Sequence, residues 1–522
     1  MATMNSNEEE ISKEVSRSDF PPDFVFGVAT SAYQVEGASK EGNRGDSIWD
    51  VFSHIEGKIK DGSNGDIAVD QYHRYKISAT VLSLGWHKVI ISLNMSAELC
   101  PYPLKANERK WQQCFLMVDD VELMAKLGFG AYRFSISWSR IFPDGLGTNI
   151  NVEGINYYNN VINALLEKDL YFAGQTSSKY FAIYAETCFE NFGDRVKHWI
   201  TINEPLQTAV NGHCIGIFAP GRSEQSETEP YLASHYQILA HAKAVSVYRN
   251  KYKAKQGGDI SLVVDCEWAE PFSDKVDDKL AAARRLDFQL GWYLPLHLTY
   301  AILLYLDPLY YGDYPEVMRE RLGDRLPKFS QDDKELLRNS IDFIGLNHYT
   351  SRFISHVTKN PKENDYYQVQ EMQRMAEWAG GEVIGDRAAS EWLYIVPWGI
   401  RKVLNYVAQR YHGIPIYITE NGMDDEDDET LPLHEVLDDK MRVGYFKGYL
   451  AAVAQAIRDG VDVKGYFAWS LLDNFEWSQG YTKRFGLVFV DYKNGLVRHP
   501  KSSALWFSRF LKGTEGKNKK ED

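Results

Sequence analysis

The chain has 522 residues and a formal net charge of −14, which argues against a nucleic-acid or anionic-membrane partner, since either wants a basic face. Its 13 Trp and 32 Tyr suit core packing, which covers most of them, and stacking on sugar rings or aryl groups. Five cysteines (Cys100, Cys114, Cys188, Cys214, Cys266) are odd in number and widely spaced, with no CxxC pair and no His/Cys cluster, so a reducing compartment is expected, with no metal and no cofactor.

Residues 1–19 carry neither a basic nor an apolar stretch, so a disordered leader, no secretory signal and a cytoplasmic location are expected. Residues 24–30 read as a buried strand running into Ser31-Ala-Tyr-Gln-Val-Glu-Gly37, where the amide of Gln34, near the strand end, suits two adjacent hydroxyls. A turn-rich loop follows through Ser47-Ile-Trp-Asp50 and Asn64-Gly-Asp66. Helical spacing over 118–127 leads to a strand over 130–136. Arg133 inside that apolar strand is costly unless a carboxylate pairs with it; Glu420 is one candidate partner, and another Asp or Glu is the alternative.

Further helices are expected over 152–166, 179–192, around His241, and over 278–291 and 438–458; strands are expected over 196–204, 260–266, 342–350, 414–422 and 463–470. Asn347 and Tyr349 are two apart in one of these strands and share a face. Strands and helices alternate with no sequence repeat, no GxGxxG and no Walker pattern, and polar residues gather at the strands' C-terminal ends. One α/β domain over 20–512, a (β/α)8 barrel, is the economical fold, with 513–522 a disordered tail; a doubly wound open sheet would carry a Gly-rich phosphate loop.

Two of these strands end on an acid. Ile414-Pro-Ile-Tyr-Ile-Thr-Glu-Asn-Gly422 ends at Glu420, and Val196-Lys-His-Trp-Ile-Thr-Ile-Asn-Glu-Pro205 ends at Glu204, where Pro205 stops the ladder. A lone acid there reads as a cap. Two of them, far apart in sequence, are what glycoside hydrolysis needs, one as proton donor and one as nucleophile or base.

With Phe24-Val-Phe-Gly, Tyr132-Arg-Phe-Ser-Ile-Ser-Trp, Thr201-Ile-Asn-Glu-Pro, Gly345-Leu-Asn-His-Tyr-Thr, Ile418-Thr-Glu-Asn-Gly and Trp469-Ser-Leu-Leu-Asp-Asn-Phe-Glu-Trp, the chain resembles glycoside hydrolase family 1 and, within it, the plant β-glucosidases without secretion signals. The resemblance implies a retaining hydrolysis with Glu420 as nucleophile and Glu204 as acid/base, their carboxyls about 5–5.5 Å apart. It implies that Arg133 and Tyr349 contact the nucleophile and that Asn203 binds the sugar 2-hydroxyl, which requires the strand to bend, since Asn203 and Glu204 are neighbours. Asn347 joins the expected substrate-binding set. Gln34, Glu476 and Trp477 match binders of the outer hydroxyls and Trp469 a stacking platform; for Glu476 a helix-start or rim acid is the alternative. Trp392 matches an aglycone-stacking position, with core packing as its alternative.

The chain departs from the family pattern in three places. The third strand's Thr-x-x-His-Trp-Asp-x-Pro run, whose His binds the sugar 3-hydroxyl, has no counterpart near 168–178, so the third barrel strand is expected to be truncated or missing. Residues 77–118 and 295–306 stand as insertions. The expected function is a retaining β-glucosidase of small glucosides with a hydrophobic or aryl aglycone. The alternatives are an impaired or inactive relative, such as an aberrant isoform or carbohydrate-binding scaffold, and a transglycosidase. Nothing in the chain bears on oligomeric state.

Overall fold

The computed structural model describes residues 14–75, 120–167, 179–289, 305–314, 316–358 and 366–513. One sheet of seven parallel strands organises it: β1 Val25–Ala29, β2 Ala131–Arg133, β3 His198–Asn203, β4 Asp259–Asp265, β5 Ile344–Asn347, β6 Ile416–Asn421 and β7 Val463–Trp469, in the order β2-β1-β7-β6-β5-β4-β3. The first strand pairs with the last, Val25 opposite Gly465 and Ala29 opposite Trp469, so the sheet curls on itself. These strands lack the strict alternation of a half-exposed sheet. Ile260 to Val264 are all buried, as expected of a strand covered on both faces.

Helices lie between the strands and cover the sheet with apolar stripes. In Pro397–Arg410 the buried Ile400, Val403, Leu404 and Val407 recur at helical spacing. Val152–Glu167, Lys179–Phe192, Glu229–Val247 and Lys440–Arg458 occupy the expected helical positions. This is the (β/α)8-barrel architecture. The two edges of the curled sheet, β2 and β3, are consecutive among the described strands, which is where the third strand of eight belongs. The segment expected to be deficient there, 168–178, lies outside the described residues, as do 77–118 and 295–304 of the two insertions.

Several boundaries differ from expectation for identifiable reasons. Ser47-Ile-Trp-Asp50 is the start of a helix, Ile48–Ser53, because Ser47 and Asp50 form a reciprocal capping box: Asp50 N–H donates to Ser47 Oγ at 3.2 Å and Ser47 N–H to Asp50 Oδ2 at 2.6 Å. Gln34 sits on a short helix, Ala32–Val35, one step beyond the end of β1. Within the leader expected over 1–19, Val15 is buried and Arg17–Asp19 forms a 3₁₀ turn. Tyr305 and Leu306, expected within the second insertion, are fully buried, and Leu306 opens the helix Leu306–Tyr311.

Candidate active site

The C-terminal strand ends converge on a cavity of about 640 Å³ lined by all eleven residues named above as site candidates. Glu420 reaches it from β6. Strand alternation turns the next residue, Asn421, the other way, where its amide donates to the His348 carbonyl and to Tyr445 Oη while accepting from Tyr466. Gly422 is glycine because a Cβ there would lie 1.9 Å from the Trp469 carbonyl oxygen. The Glu-Asn-Gly order thus places an acid inside, an anchor outside and a close approach to β7.

Glu420 is 5 % exposed and does not stand alone. Arg133, from β2, makes an ion pair with its Oε1, and Tyr349 Oη donates to its Oε2 at 2.6 Å. The Arg133 guanidinium also donates to Asn203 Oδ1 at 2.6 Å and to the Thr419 carbonyl at 3.3 Å. Of the two partners open to Arg133, the structure selects Glu420. Both carboxylate oxygens are engaged, which fixes the plane of the group.

Glu204 reaches the cavity from the end of β3 through a backbone turn. Its φ of 47° and ψ of 58° lie in the left-handed region, rare for a residue with a side chain, and Pro205 follows as the first residue of the helix Pro205–His213. The β3–β4 register shifts between Ile200 and Asn203. Together these are the bend that lets adjacent residues line one pocket. Asn347, at the end of β5, donates to Glu204 Oε1 at 2.7 Å and to Asn203 Oδ1 at 3.0 Å, and its own Oδ1 accepts from Thr419 Oγ1 at 2.7 Å. Desolvation, then the Glu420 charge, then that of Asp265 hold the Glu204 carboxyl well above the ordinary carboxylate range, against the Asn347 hydrogen bond and Arg133, which act the other way.

Across the cavity, Gln34 Nε2 donates to Asn474 Oδ1 and the Phe475 carbonyl, both at 2.9 Å, and to Glu476 Oε2 at 3.4 Å. Gln34 Oε1 is buried without a protein partner among the described residues, a ready acceptor for a hydroxyl. Burial, aided by the Asp424 and Glu420 charges, pushes Glu476 up to about 8. Trp469 is buried in the wall, and Trp477 stands at the mouth with its ring centroid 4.7 Å from that of Trp49. Trp392 is 41 % exposed and edge-on to Tyr349, so it is a cavity-mouth residue rather than a core one.

The structure adds residues that no motif singled out. Asp265 ends β4 and accepts from Gln207 on the helix that follows Glu204. Glu267, two residues on, is held by Arg285 and Arg374, which pull it down to about 2 despite its burial. A strand ending in Asp-Cys-Glu was the available signal, but nothing in the sequence says which strand ends are neighbours.

The model of glycosyl hydrolase family 1 matches residues 16–94, 113–173 and 171–516, and its breaks fall within 77–118 and 168–178. The chain belongs to glycosyl hydrolase family 1. It is 59 % identical to β-glucosidase 42 of Arabidopsis thaliana over 97 % of this chain and 96 % of that one, and 59 % identical to β-glucosidase 4 of Oryza sativa subsp. japonica over 97 % and 98 %. Among solved structures, a rice β-glucosidase mutant in a covalent complex with Glc superposes with a TM-score of 0.82 at 42 % identity, covering 95 % of this chain and 99 % of that one. The β-glucosidase of Trichoderma harzianum gives 0.80 at 37 %, covering 94 % and 97 %. This family member is therefore a glycoside hydrolase of the β-glucosidase type.

Proposed function

We propose that this glycosidase cleaves small β-glucosides with retention of configuration, with Glu420 as nucleophile and Glu204 as acid/base. The observation that carries the reading is the opposite treatment of two acids on one cavity. Glu420 has both oxygens held by donors and an adjacent guanidinium, whereas Glu204 is desolvated and kept protonated beside the Glu420 charge. In the first step Glu420 attacks the anomeric carbon, the bond to the leaving oxygen breaks, and Glu204 gives that oxygen its proton. Esterification then removes the Glu420 charge. Glu204 becomes more acidic and takes a proton from the incoming water, which releases the sugar and restores both groups.

Asn203 donates to the sugar 2-hydroxyl in this reading, because its Oδ1 is already committed to Arg133 and Asn347, which turns its amide nitrogen away from them. Gln34 and Glu476 bind the outer hydroxyls, and Trp469 stacks on the ring. Trp392, Trp477, Ile217 and Phe218 form an apolar mouth that suits a hydrophobic or aryl aglycone. The covalent complex with Glc in the rice relative supports a glycosyl-enzyme on the same route.

The test is hydrolysis of p-nitrophenyl β-glucoside followed by NMR of the first-formed anomer. The β-anomer should appear first, and Glu420→Gln should abolish turnover. The α-anomer appearing first, or undiminished turnover in Glu420→Gln, would overturn the assignment.

A further inference from the structure

Thr419 stands next to the nucleophile in β6, is buried, and does not line the cavity. Its hydroxyl donates to Asn347 Oδ1 at 2.7 Å across the β5–β6 ladder, whose register shifts between Leu346 and Asn347. No other acceptor is offered to that hydroxyl among the described residues, so its hydrogen goes to Asn347. Asn347 belongs to the expected substrate-binding set, yet both hydrogens of its amide are engaged within the protein. They go to Asn203 Oδ1 at 3.0 Å and to Glu204 Oε1 at 2.7 Å.

The two ends of a side-chain amide have nearly the same shape, so its partners decide which way it faces. Here two of them decide alike. The Thr419 hydrogen requires the amide oxygen on one side, and Asn203 Oδ1, already an acceptor from Arg133, requires the nitrogen on the other. The consequence falls on Glu204. Its Oε1 accepts an N–H, the role of the carbonyl oxygen in a carboxylic acid, so the proton that Glu204 carries is on Oε2. Oε2 has no hydrogen-bond partner among the described residues, and the side chain lines the cavity. The oxygen that bears the proton is thereby the one left for the substrate. The same Asn347 bond steadies the carboxylate form, through which Glu204 takes a proton from water in the second step.

Resting on the proposed function, we propose that Thr419 is a positioning residue for the acid/base: by holding the Asn347 amide it keeps the Glu204 proton on the oxygen that faces the glycosidic bond. Thr419 itself never meets the substrate. Without its hydroxyl, Asn347 Oδ1 is a buried acceptor with no donor, and the amide loses one of the two partners that set its orientation.

The measurement is the ratio of kcat/KM for 2,4-dinitrophenyl over phenyl β-glucoside. The first leaving group departs without a proton and the second needs one, so the ratio reads protonation. A disturbance of the adjacent Glu420, or of Asn203, slows both substrates and cancels. The ratio should rise about 10-fold in Thr419→Val, which keeps the shape and drops the hydroxyl, a part of the about 10²–10⁴-fold that general acid catalysis contributes. Thr419→Ser keeps the hydroxyl and should stay within about 2-fold of the wild type. Asn347→Ala removes the donor itself, should raise the ratio at least as much, and serves as the test if Thr419→Val does not fold. In that background Thr419→Val should add nothing further. The alkaline limb of kcat/KM for the phenyl glucoside should move to higher pH in both variants, because a donor to the charged form of Glu204 is lost or loosened. The groups that face it, Glu420, Asp265, Arg133 and Tyr349, are unchanged. A wild-type ratio in Thr419→Val or Asn347→Ala, a Thr419→Ser as impaired as Thr419→Val, or losses that add in the double variant would overturn the proposal. Glu204→Gln is the control: a ratio that does not rise there counts against the acid/base assignment of the proposed function rather than against Thr419.

Discussion

Arg133→Met tests the placement of Glu420 most directly. Methionine fills much of the arginine stem, so the loss is electrostatic rather than a cavity. Arg133 and Glu420 are 8 % and 7 % exposed in their side chains, and the guanidinium gives up bonds to Glu420, Asn203 and the Thr419 carbonyl together. All three bonds come from an ionised guanidinium and are charge-assisted, but removing the guanidinium also removes its own desolvation cost, so the expected loss is that of a buried pair losing one partner, about 3–5 kcal/mol. We expect denaturant unfolding to show a destabilisation of that size for Arg133→Met. The double variant Arg133→Met/Glu420→Gln should recover about 2 kcal/mol of it, because no unpaired charge remains. Misplacement of the nucleophile should lower kcat about 10²-fold or more. A destabilisation below about 1 kcal/mol, with additive effects in the double variant, would refute the claim that this pair holds the carboxylate.

Glu204→Gln should slow glucosides of poor leaving groups by about 10²–10⁴-fold while sparing activated aryl glucosides in the glycosylation step, as pre-steady-state kinetics on both classes will reveal. Glu476 keeps a proton in the folded state up to about pH 8 that the unfolded chain releases near pH 4.5. Stability should therefore fall as pH rises between those values, and Glu476→Gln should flatten the slope of unfolding free energy by up to about 1.4 kcal/mol per pH unit. Trp392→Ala, at a 41 % exposed position, should change stability by no more than about 0.5 kcal/mol while raising KM for aryl glucosides several-fold; a thermal melt and initial rates separate the two.

Much of the site was legible because the barrel writes its chemistry at the ends of apolar runs. Glu204 and Glu420 each stand at the end of a β-forming run, and although one such acid alone reads as a cap, two of them far apart in sequence suit glycoside hydrolysis. The short strands, with helices between them, implied a parallel sheet whatever the loops do. The capping box at Ser47 and Asp50 is equally local, its reciprocal spacing present in the four residues themselves.

Other features depend on which strands are neighbours, and the linear chain does not contain that. That Arg133 pairs with Glu420 rather than with another acid follows from β1 and β7 lying between their strands in a curled sheet. That Asn347 bonds Glu204, 143 residues away, follows from the β3-β4-β5 order. Trp392 could be weighed only as packing or stacking until its burial was known. Asp265 carries no motif at all. One of its oxygens is held by Gln207 and the other is buried without a hydrogen-bond partner among the described residues, a distinction made by three-dimensional placement because a carboxylate's partners are set by what surrounds it and not by its place in the chain.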